Sequence, residues 1–227
     1  REWKMTSFEP GWRPSRLEDS SSQLAARMQE LRSTLQSRDP SLIAARSGVS
    51  YLTIAPDHGG FHFPLLGRAV TFTWPGLTGF SHPDNELSPL LQALLLYYLV
   101  TADGTAMTGK WVSFADLPDG RMYNTAYQGY SGDEIVKAFG FDLPVFRSAC
   151  LNVGGKPVEV GSASFMVQAL PNLPLLVTYW LGDEDFPSSC KILFDSSAIH
   201  YLPIDGCAII GSMLATKLRS PKSPDFG

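Results

Sequence analysis

Hydrophobic residues near the start of the chain recur with the period of a helix. In segment 20–37 they return every three or four positions, which predicts an amphipathic helix with one buried stripe: Leu24, Met28, Leu31 and Leu35. A short second helix is predicted next, because Asp39 suits its N-cap, Pro40 its first turn and Gly48 its end. Two helices therefore precede the first strand.

After residue 48 the pattern changes to that of strands. VSYLTIA, GFHFPLL and RAVTFTW predict three strands, and the PDHG stretch at 56–59 predicts a hairpin turn between the first two. SPLLQALLLYYLV is apolar on nearly all sides and predicts a buried helix. Further along, GKWVSF, SASFMVQAL, LLVTYWL and CKILF predict strands, whereas SGDEIVKAFG, DLPVFRSACLNVGG and IDGCAIIGSMLATKL predict helices.

These elements occur in blocks and do not alternate strictly. That order favours an α+β fold with a mainly antiparallel sheet and packed helices. We expect a single domain over residues 20–219, preceded by an irregular aromatic arm, residues 1–19, and followed by a disordered tail, residues 220–227. The arm contains Trp3, Phe8 and Trp12 without periodicity, so we expect it to dock on the body or on a protein partner.

Composition narrows the classes of partner. Of the 227 residues 44% are hydrophobic and 18% charged, which is typical of a globular protein with a sizeable core. The net charge is −4 and lysine and arginine do not cluster, so we expect no nucleic acid to bind. The longest apolar run, residues 90–100, is too short for a membrane span, and no signal-peptide pattern is present. We therefore expect a cytoplasmic protein.

The cysteines carry no metal-binding pattern. Cys150, Cys190 and Cys207 are widely spaced and have apolar neighbours. Without a C-x-x-C pair we expect neither a zinc ribbon nor an iron–sulfur cluster on this chain. Buried free thiols are the favoured interpretation.

Three consecutive carboxylates, Asp183, Glu184 and Asp185, separate two predicted strands. Adjacent acids on a loop can bind a hard cation, and mutual repulsion can raise a pKa towards general-acid use. The same acids can face a cationic partner, or only protect a strand edge, because side chains on an extended segment point in alternating directions.

The histidines offer further candidate ligands. His58 and His62 are expected on opposite strands of the hairpin if its turn centres on residues 59–60, where they can bind a metal with a third ligand. The alternative places His58 in a polar turn and His62 at a half-buried strand position. For His200, between Ile199 and Tyr201, we favour a hydrogen-bonded interior histidine over an axial ligand.

Segment 111–130, WVSFADLPDGRMYNTAYQGY, concentrates aromatic residues in what we expect to be a loop. A loop this aromatic needs a core, a flat ligand or a partner to cover it. The candidate contacts for a flat cofactor are Trp111, Phe114, Asp116 and Tyr123, together with Asp183 and Asp185 of the acidic turn.

The order of three stretches resembles a known family. LLQALLLYYLVTADGTAMTGKWVSFADLPDGRMYN, KAFGFD and LPNLPLLVTYWLGDEDFPSSCKILFDSSAIHYLP are similar to the domain of unknown function 3786, over roughly residues 38–218. The resemblance implies an association with anaerobic bacteria and archaea, where some members carry an appended four-cysteine iron–sulfur motif like that of corrinoid iron–sulfur proteins. This chain lacks that motif. The resemblance places the following residues at signature positions: Tyr98, Trp111, Phe114, Leu117, Pro118, Gly120, Asp183, Glu184, Asp185, Phe186, Pro187, Phe194 and Asp195.

No clean catalytic constellation is present in the sequence, since the G-x-S-x-G, P-loop and dinucleotide patterns are missing. We therefore expect a non-catalytic binding or accessory module that holds a flat cofactor, a corrinoid or another tetrapyrrole, or a redox-protein partner. One alternative is a metal-dependent enzyme that uses residues 183–185 with a histidine. Another is a structural subunit of a larger assembly.

Overall fold

The computed structural model of the chain describes residues 17–81 and 85–220. The predicted arm lies outside this part of the chain except for residues 17–19, which belong to the first helix. Of the predicted tail, only Ser220 is described. No helix in the described ranges combines the length and the apolar character that crossing a membrane requires.

Helices and strands are grouped along the chain, with several of one kind before several of the other. The helices are α1 (Leu17–Gln36), α2 (Pro40–Ser47), α3 (Pro89–Thr101), α4 (Gly120–Tyr130), α5 (Gly132–Phe139), α6 (Leu143–Asn152) and α7 (Ile204–Arg219). The strands are β1 (Ser50–Ala55), β2 (His58–Leu65), β3 (Arg68–Trp74), β4 (Gly79–Ser81), β5 (Asn85–Glu86), β6 (Trp111–Val112), β7 (Lys156–Val158), β8 (Ala163–Leu170), β9 (Leu173–Trp180) and β10 (Ser189–Asp195).

The strands form two antiparallel sheets. The first has the order β1-β2-β3-β4-β5, and the second has the order β6-β10-β9-β8-β7. Their pairing is antiparallel throughout the described strands. The predicted α+β class with antiparallel pairing in a single domain is confirmed, although the strands divide between two sheets.

Local signals explain the first helices. The apolar stripe of α1 is buried at Met28, Leu31 and Leu35, as its period predicts. Asp39 caps α2, because its Oδ1 atom accepts hydrogen bonds from the backbone N–H groups of Ser41 (2.7 Å) and Leu42 (3.4 Å). Both helices thus begin and end close to their predicted positions.

The first hairpin turns earlier than expected. Its turn lies at Pro56 and Asp57, and both glycines that follow belong to β2. Proline fixes the φ that the second position of such a turn needs, so Pro56 starts the turn. Gly59 is required within the strand because a Cβ there would overlap the Leu52 carbonyl oxygen and the Tyr51 ring.

The two sheets are joined through their turns and through α7. The Leu66 N–H, in the β2–β3 turn, donates to the Ala169 carbonyl of β8 over 2.8 Å. The Leu66 carbonyl in turn accepts a hydrogen bond from Lys217 Nζ of α7 over 2.6 Å. These bonds satisfy the polar backbone of a buried turn residue, as burial demands.

All three cysteines are free and buried, which confirms the favoured interpretation. Burial raises the pKa of the Cys150 and Cys207 thiols to about 12. It also raises the pKa of Cys190 well above its usual value. At neutral pH these groups stay protonated, and the thiol form is a poor nucleophile.

We expect the native protein to react with a thiol reagent only slowly at pH 7.5. After unfolding in denaturant, the same assay should count three thiols per chain, because Cys150, Cys190 and Cys207 then become accessible. Rapid modification of the folded protein would contradict this burial.

Two glycines in α4 give a matched test of its packing. A Cβ on Gly120 would overlap the Phe114 carbonyl oxygen, so Gly120→Ala should lower the free energy of unfolding by at least about 2 kcal/mol. A Cβ on Gly129 meets nothing within 4 Å, so Gly129→Ala should raise it by about 0.5 kcal/mol. Urea unfolding measures both; equal effects would show that the approach of α4 to Phe114 is not tight.

Candidate functional site

The acidic turn at residues 181–188 connects β9 to β10, and Asp183 organises it. Asp183 Oδ1 accepts hydrogen bonds from the backbone N–H groups of Asp185 (3.0 Å) and Phe186 (2.8 Å). The Asp183 N–H donates to the Phe186 carbonyl oxygen over 2.8 Å. One carboxylate of the three therefore stabilises the turn, as Asx turns do.

Glu184 and Asp185 are exposed, and their carboxylates make no hydrogen bond or ion pair within the described ranges. In those ranges no group of three histidine, cysteine, aspartate or glutamate side chains is arranged to hold a metal ion. The structure therefore does not bring Asp183, Glu184 and Asp185 together with His58 or His62 as a ligand set.

His58 and His62 lie on the same strand, so the expectation that they face each other across a hairpin is wrong. The turn at residues 56–57 places both of them on β2. Four residues of extended chain separate their Cα atoms by about 13 Å, which is too far for a shared ion. His58 is exposed, and His62 is half-buried with its Nδ1 atom 3.0 Å from Thr71 Oγ1.

Helix α4 forms more than half of the aromatic segment, and Phe114 and Tyr127 of this segment are buried in the core. Trp111 is half-buried in β6 and pairs with Asp195 of β10. Phe114 is only 2% exposed, and its ring stacks on Tyr127 at 4.2 Å. The ring of Phe114 is therefore inaccessible to a ligand. Of the three expected covers, it is the core that covers this residue.

The other two cofactor candidates, Asp116 and Tyr123, are both exposed, but within the described residues only the Asp116 side chain is engaged in local hydrogen bonds. Asp116 Oδ2 accepts hydrogen bonds from the Ser113 hydroxyl (2.6 Å) and N–H (3.2 Å), and the hydroxyl bond is the main reason that its pKa is lowered. Asp116 therefore holds a turn. Tyr123 is 47% exposed on α4, next to Met122, which is 83% exposed. Of the four candidates in this segment, Asp116 and Tyr123 are exposed, whereas Trp111 is half-buried and Phe114 is buried.

Three connections meet at one end of the second sheet. The Tyr179 hydroxyl, near the end of β9, donates to the Gly140 carbonyl between α5 and α6, and it also contacts Ser188 of the acidic turn. Ser162, between β7 and β8, accepts a hydrogen bond from the Leu181 N–H at its Oγ atom over 2.9 Å. These bonds place the acidic turn beside two other loops.

The loops at this end carry exposed apolar residues as well as carboxylates. Phe141 is 73% exposed and Phe186 is 70% exposed, so most of the surface of each side chain is open to solvent. We define the acidic end as the surface formed by Phe141, Val160, Leu181, Asp183, Glu184, Asp185 and Phe186. It combines negative charge with uncovered hydrophobic area.

A second polar cluster, centred on Asp195, was not predicted from the sequence. Asp195, 1% exposed, accepts hydrogen bonds at its carboxylate from Thr108, Gly109 and Ser197. Although burial raises the pKa of Asp195, the hydrogen bonds from Ser197 and Thr108 give a net lowering. This carboxylate fixes the loop at residues 102–110 against the end of β10.

The same loop places the Asp103 carboxylate next to the His200 imidazole. The distance between His200 Nδ1 and Asp103 Oδ2 is 2.7 Å, and Thr105 Oγ1 lies 3.2 Å from the same nitrogen. Such a pair orients an imidazole for general-base chemistry. In residues 17–81 and 85–220, no hydroxyl or thiol is hydrogen-bonded to His200 Nε2. His200 is hydrogen-bonded as expected, but it is half-buried and not interior, with 42% of its side chain exposed.

The Asp103 carboxylate gives a pH test of this loop. Hydrogen bonds from Thr105, and then from His200, lower its pKa from 3.8 to about 2. A lowered folded-state pKa contributes stability that is fully present above pH 3.8 and is lost as the pH falls to about 2.

An NMR titration should therefore place the Asp103 carboxyl pKa near 2. In His200→Asn the pKa should rise only partly, because the Thr105 hydrogen bonds remain. A pKa of 3.8 or higher in the native protein would show that the loop does not hold this carboxylate.

Comparisons with known proteins give one positive result. Residues 39–217 match the family described as Domain of unknown function (DUF3786). Searches of curated proteins and of solved structures found no match. The match spans α2 to α7 and includes the acidic turn and the Asp103–His200 loop. Because it covers well over half of the chain, the protein belongs to the DUF3786 family.

Proposed function

We propose that this chain is a non-catalytic binding module that docks a protein partner with a basic surface at the acidic end. The observation that carries the proposal is the exposure of Phe186 (70%) within the acidic turn and of Phe141 (73%) on the loop between α5 and α6. Exposed aromatic side chains of this kind are typical anchors of protein interfaces.

The energetics favour a docking role. Burying one large apolar side chain contributes about 1.5–3 kcal/mol, so the two phenylalanines supply a substantial part of a micromolar interface. Glu184 and Asp185 add a negative potential that selects a basic partner and accelerates its approach. Asp183 keeps the turn in shape while the other two acids stay free for contact.

A flat cofactor is supported less well. A corrinoid or another tetrapyrrole needs a deep apolar pocket, whereas Phe114 is buried in the core and Asp116 holds a turn. Tyr123 and Trp111 do not make such a pocket by themselves. A protein partner therefore fits the described surface better than a flat cofactor does. From the family resemblance, we propose that this partner is a redox protein of anaerobic metabolism.

The experiment starts from affinity capture in an extract of the source organism, followed by mass spectrometry and reconstitution with the purified partner. Phe186→Ser should raise the Kd by at least about tenfold, because it removes an anchor without touching the core. Met122→Ser is the matched control: Met122 is 83% exposed on α4, and its loss should leave the Kd within about twofold.

The charged part of the surface is tested with the double variant Glu184→Gln and Asp185→Asn. It retains Asp183, so the turn and the melting temperature should persist, while the association rate falls and its salt dependence flattens. The proposal fails if Met122→Ser weakens binding and both acidic-end variants bind like wild type, since the aromatic segment would then be the interface.

A further inference from the structure

Apart from a bulge between Thr53 and Ala55, the outer edge of the first sheet carries little of the usual protection of an edge strand within residues 17–81 and 85–220. β1 pairs with β2 on one side, and no other strand in the described part of the chain pairs with it. Natural edge strands carry charge, proline or a cover, yet residues 50–55 contain neither a charged residue nor a proline. Leu52 is 57% exposed and Ile54 is 81% exposed. An edge with these properties is suited to accept another strand.

A cleft of about 490 Å³ opens beside this edge. It lies between the tip of the β1–β2 hairpin, the start of α2 and the end of β3, and it is lined by Asp39, Pro40, Ser41, Tyr51, Thr53, Pro56, Asp57, Trp74 and Pro75. Its volume falls within the range of about 300–1,000 Å³ that ligand pockets occupy.

The lining combines two aromatic rings with two carboxylates and no cationic side chain. Phe61, fully buried, supports both rings, at 5.1 Å from Tyr51 and 5.9 Å from Trp74. Asp39 uses Oδ1 for the cap of α2, and neither its Oδ2 atom nor the Asp57 carboxylate has a partner among the described residues. Rings and carboxylates together attract an organic cation such as guanidinium or ammonium.

The edge and the cleft are in register. Tyr51 and Thr53 project from β1 into the cleft, whereas Leu52 and Ile54 project to the opposite face of the sheet. Side chains of a strand added beside β1 share faces with their neighbours in the same way. A residue opposite Tyr51 or Thr53 therefore reaches the cleft, and the residues on either side of it meet Leu52 and Ile54.

We propose that the β1 edge binds an extended peptide segment that places an arginine or lysine side chain in the cleft and apolar side chains against Leu52 and Ile54. The main-chain hydrogen bonds of β1 supply affinity, and the cleft supplies selectivity for the cation. This site lies on the first sheet, distinct from the acidic end on the second sheet, and the proposed docking function does not depend on it.

The probe is the blocked pentapeptide Thr-Val-Arg-Val-Thr, titrated into the full chain by calorimetry and NMR. We expect binding with slowed hydrogen exchange along β1, and at least tenfold weaker binding of the peptide with citrulline in place of arginine, because citrulline keeps the shape and loses the charge. Blocked free arginine amide should bind far more weakly than the peptide. If it binds equally well, or if the citrulline peptide does, the proposal is overturned.

Variants of the chain separate the site from non-specific charge. The double variant Asp39→Asn and Asp57→Asn keeps the α2 cap, since asparagine caps as well as aspartate, and should weaken the arginine peptide at least tenfold. The control, Asp119→Asn with Glu159→Gln, removes two exposed carboxylates that lie outside both proposed sites and should leave affinity unchanged. Equal losses in both variants would overturn the proposal, as would a β1-to-β1 dimer that the peptide does not dissociate.

Discussion

The buried side chain of Tyr98 in α3 contacts α2, both sheets and the segment before α7, and it adds to the turn and α7 contacts that join the two sheets. Its buried hydroxyl donates to the Ser47 carbonyl at the end of α2 over 2.6 Å and accepts from the Asn172 N–H over 3.0 Å. Its ring contacts Phe63 of the first sheet at 6.4 Å and Tyr201, before α7, at 6.0 Å. A hydroxyl that is buried with both of its bonds satisfied fixes the distance between these elements, because a shift of any one would leave a buried polar group unpaired.

The position of the acidic end follows from this constraint. Asn172 lies in the turn that starts β9 (Leu173–Trp180), a strand buried along almost its whole length, and the acidic turn follows its other end. About 26 Å of extended chain therefore separates Asn172, the point held by Tyr98, from Trp180, where the acidic turn begins. A rigid central strand carries a short loop at its end, which is the usual arrangement in which a scaffold presents a binding surface.

The features that could be predicted from the sequence are those that depend on residues close together in the chain. The stripe of α1, the Asp39 cap, the Gly48 stop and the buried character of α3 all depend on residues a few positions apart, and the structure confirms them. The exposure of Phe186 and the Asp103–His200 pair depend on tertiary neighbours, and the pair joins residues 97 positions apart, so no local pattern indicated them. The aromatic segment was expected to be a loop, but residues 120–130 form α4, whose Tyr127 stacks on Phe114.

The use of each carboxylate separates the acids that build the fold from those available to a partner. One group accepts backbone N–H bonds and so holds turns, caps or loops: Asp39, Asp103, Asp116, Asp142, Asp183 and Asp195. Asp57, Glu184 and Asp185 are exposed and make no such side-chain bond in residues 17–81 and 85–220. Removing the charge of the second group leaves the backbone bonded, whereas truncating the first leaves N–H groups without a partner. The first group therefore contributes to the stability of the fold, and the second group leaves its charge available at the surface.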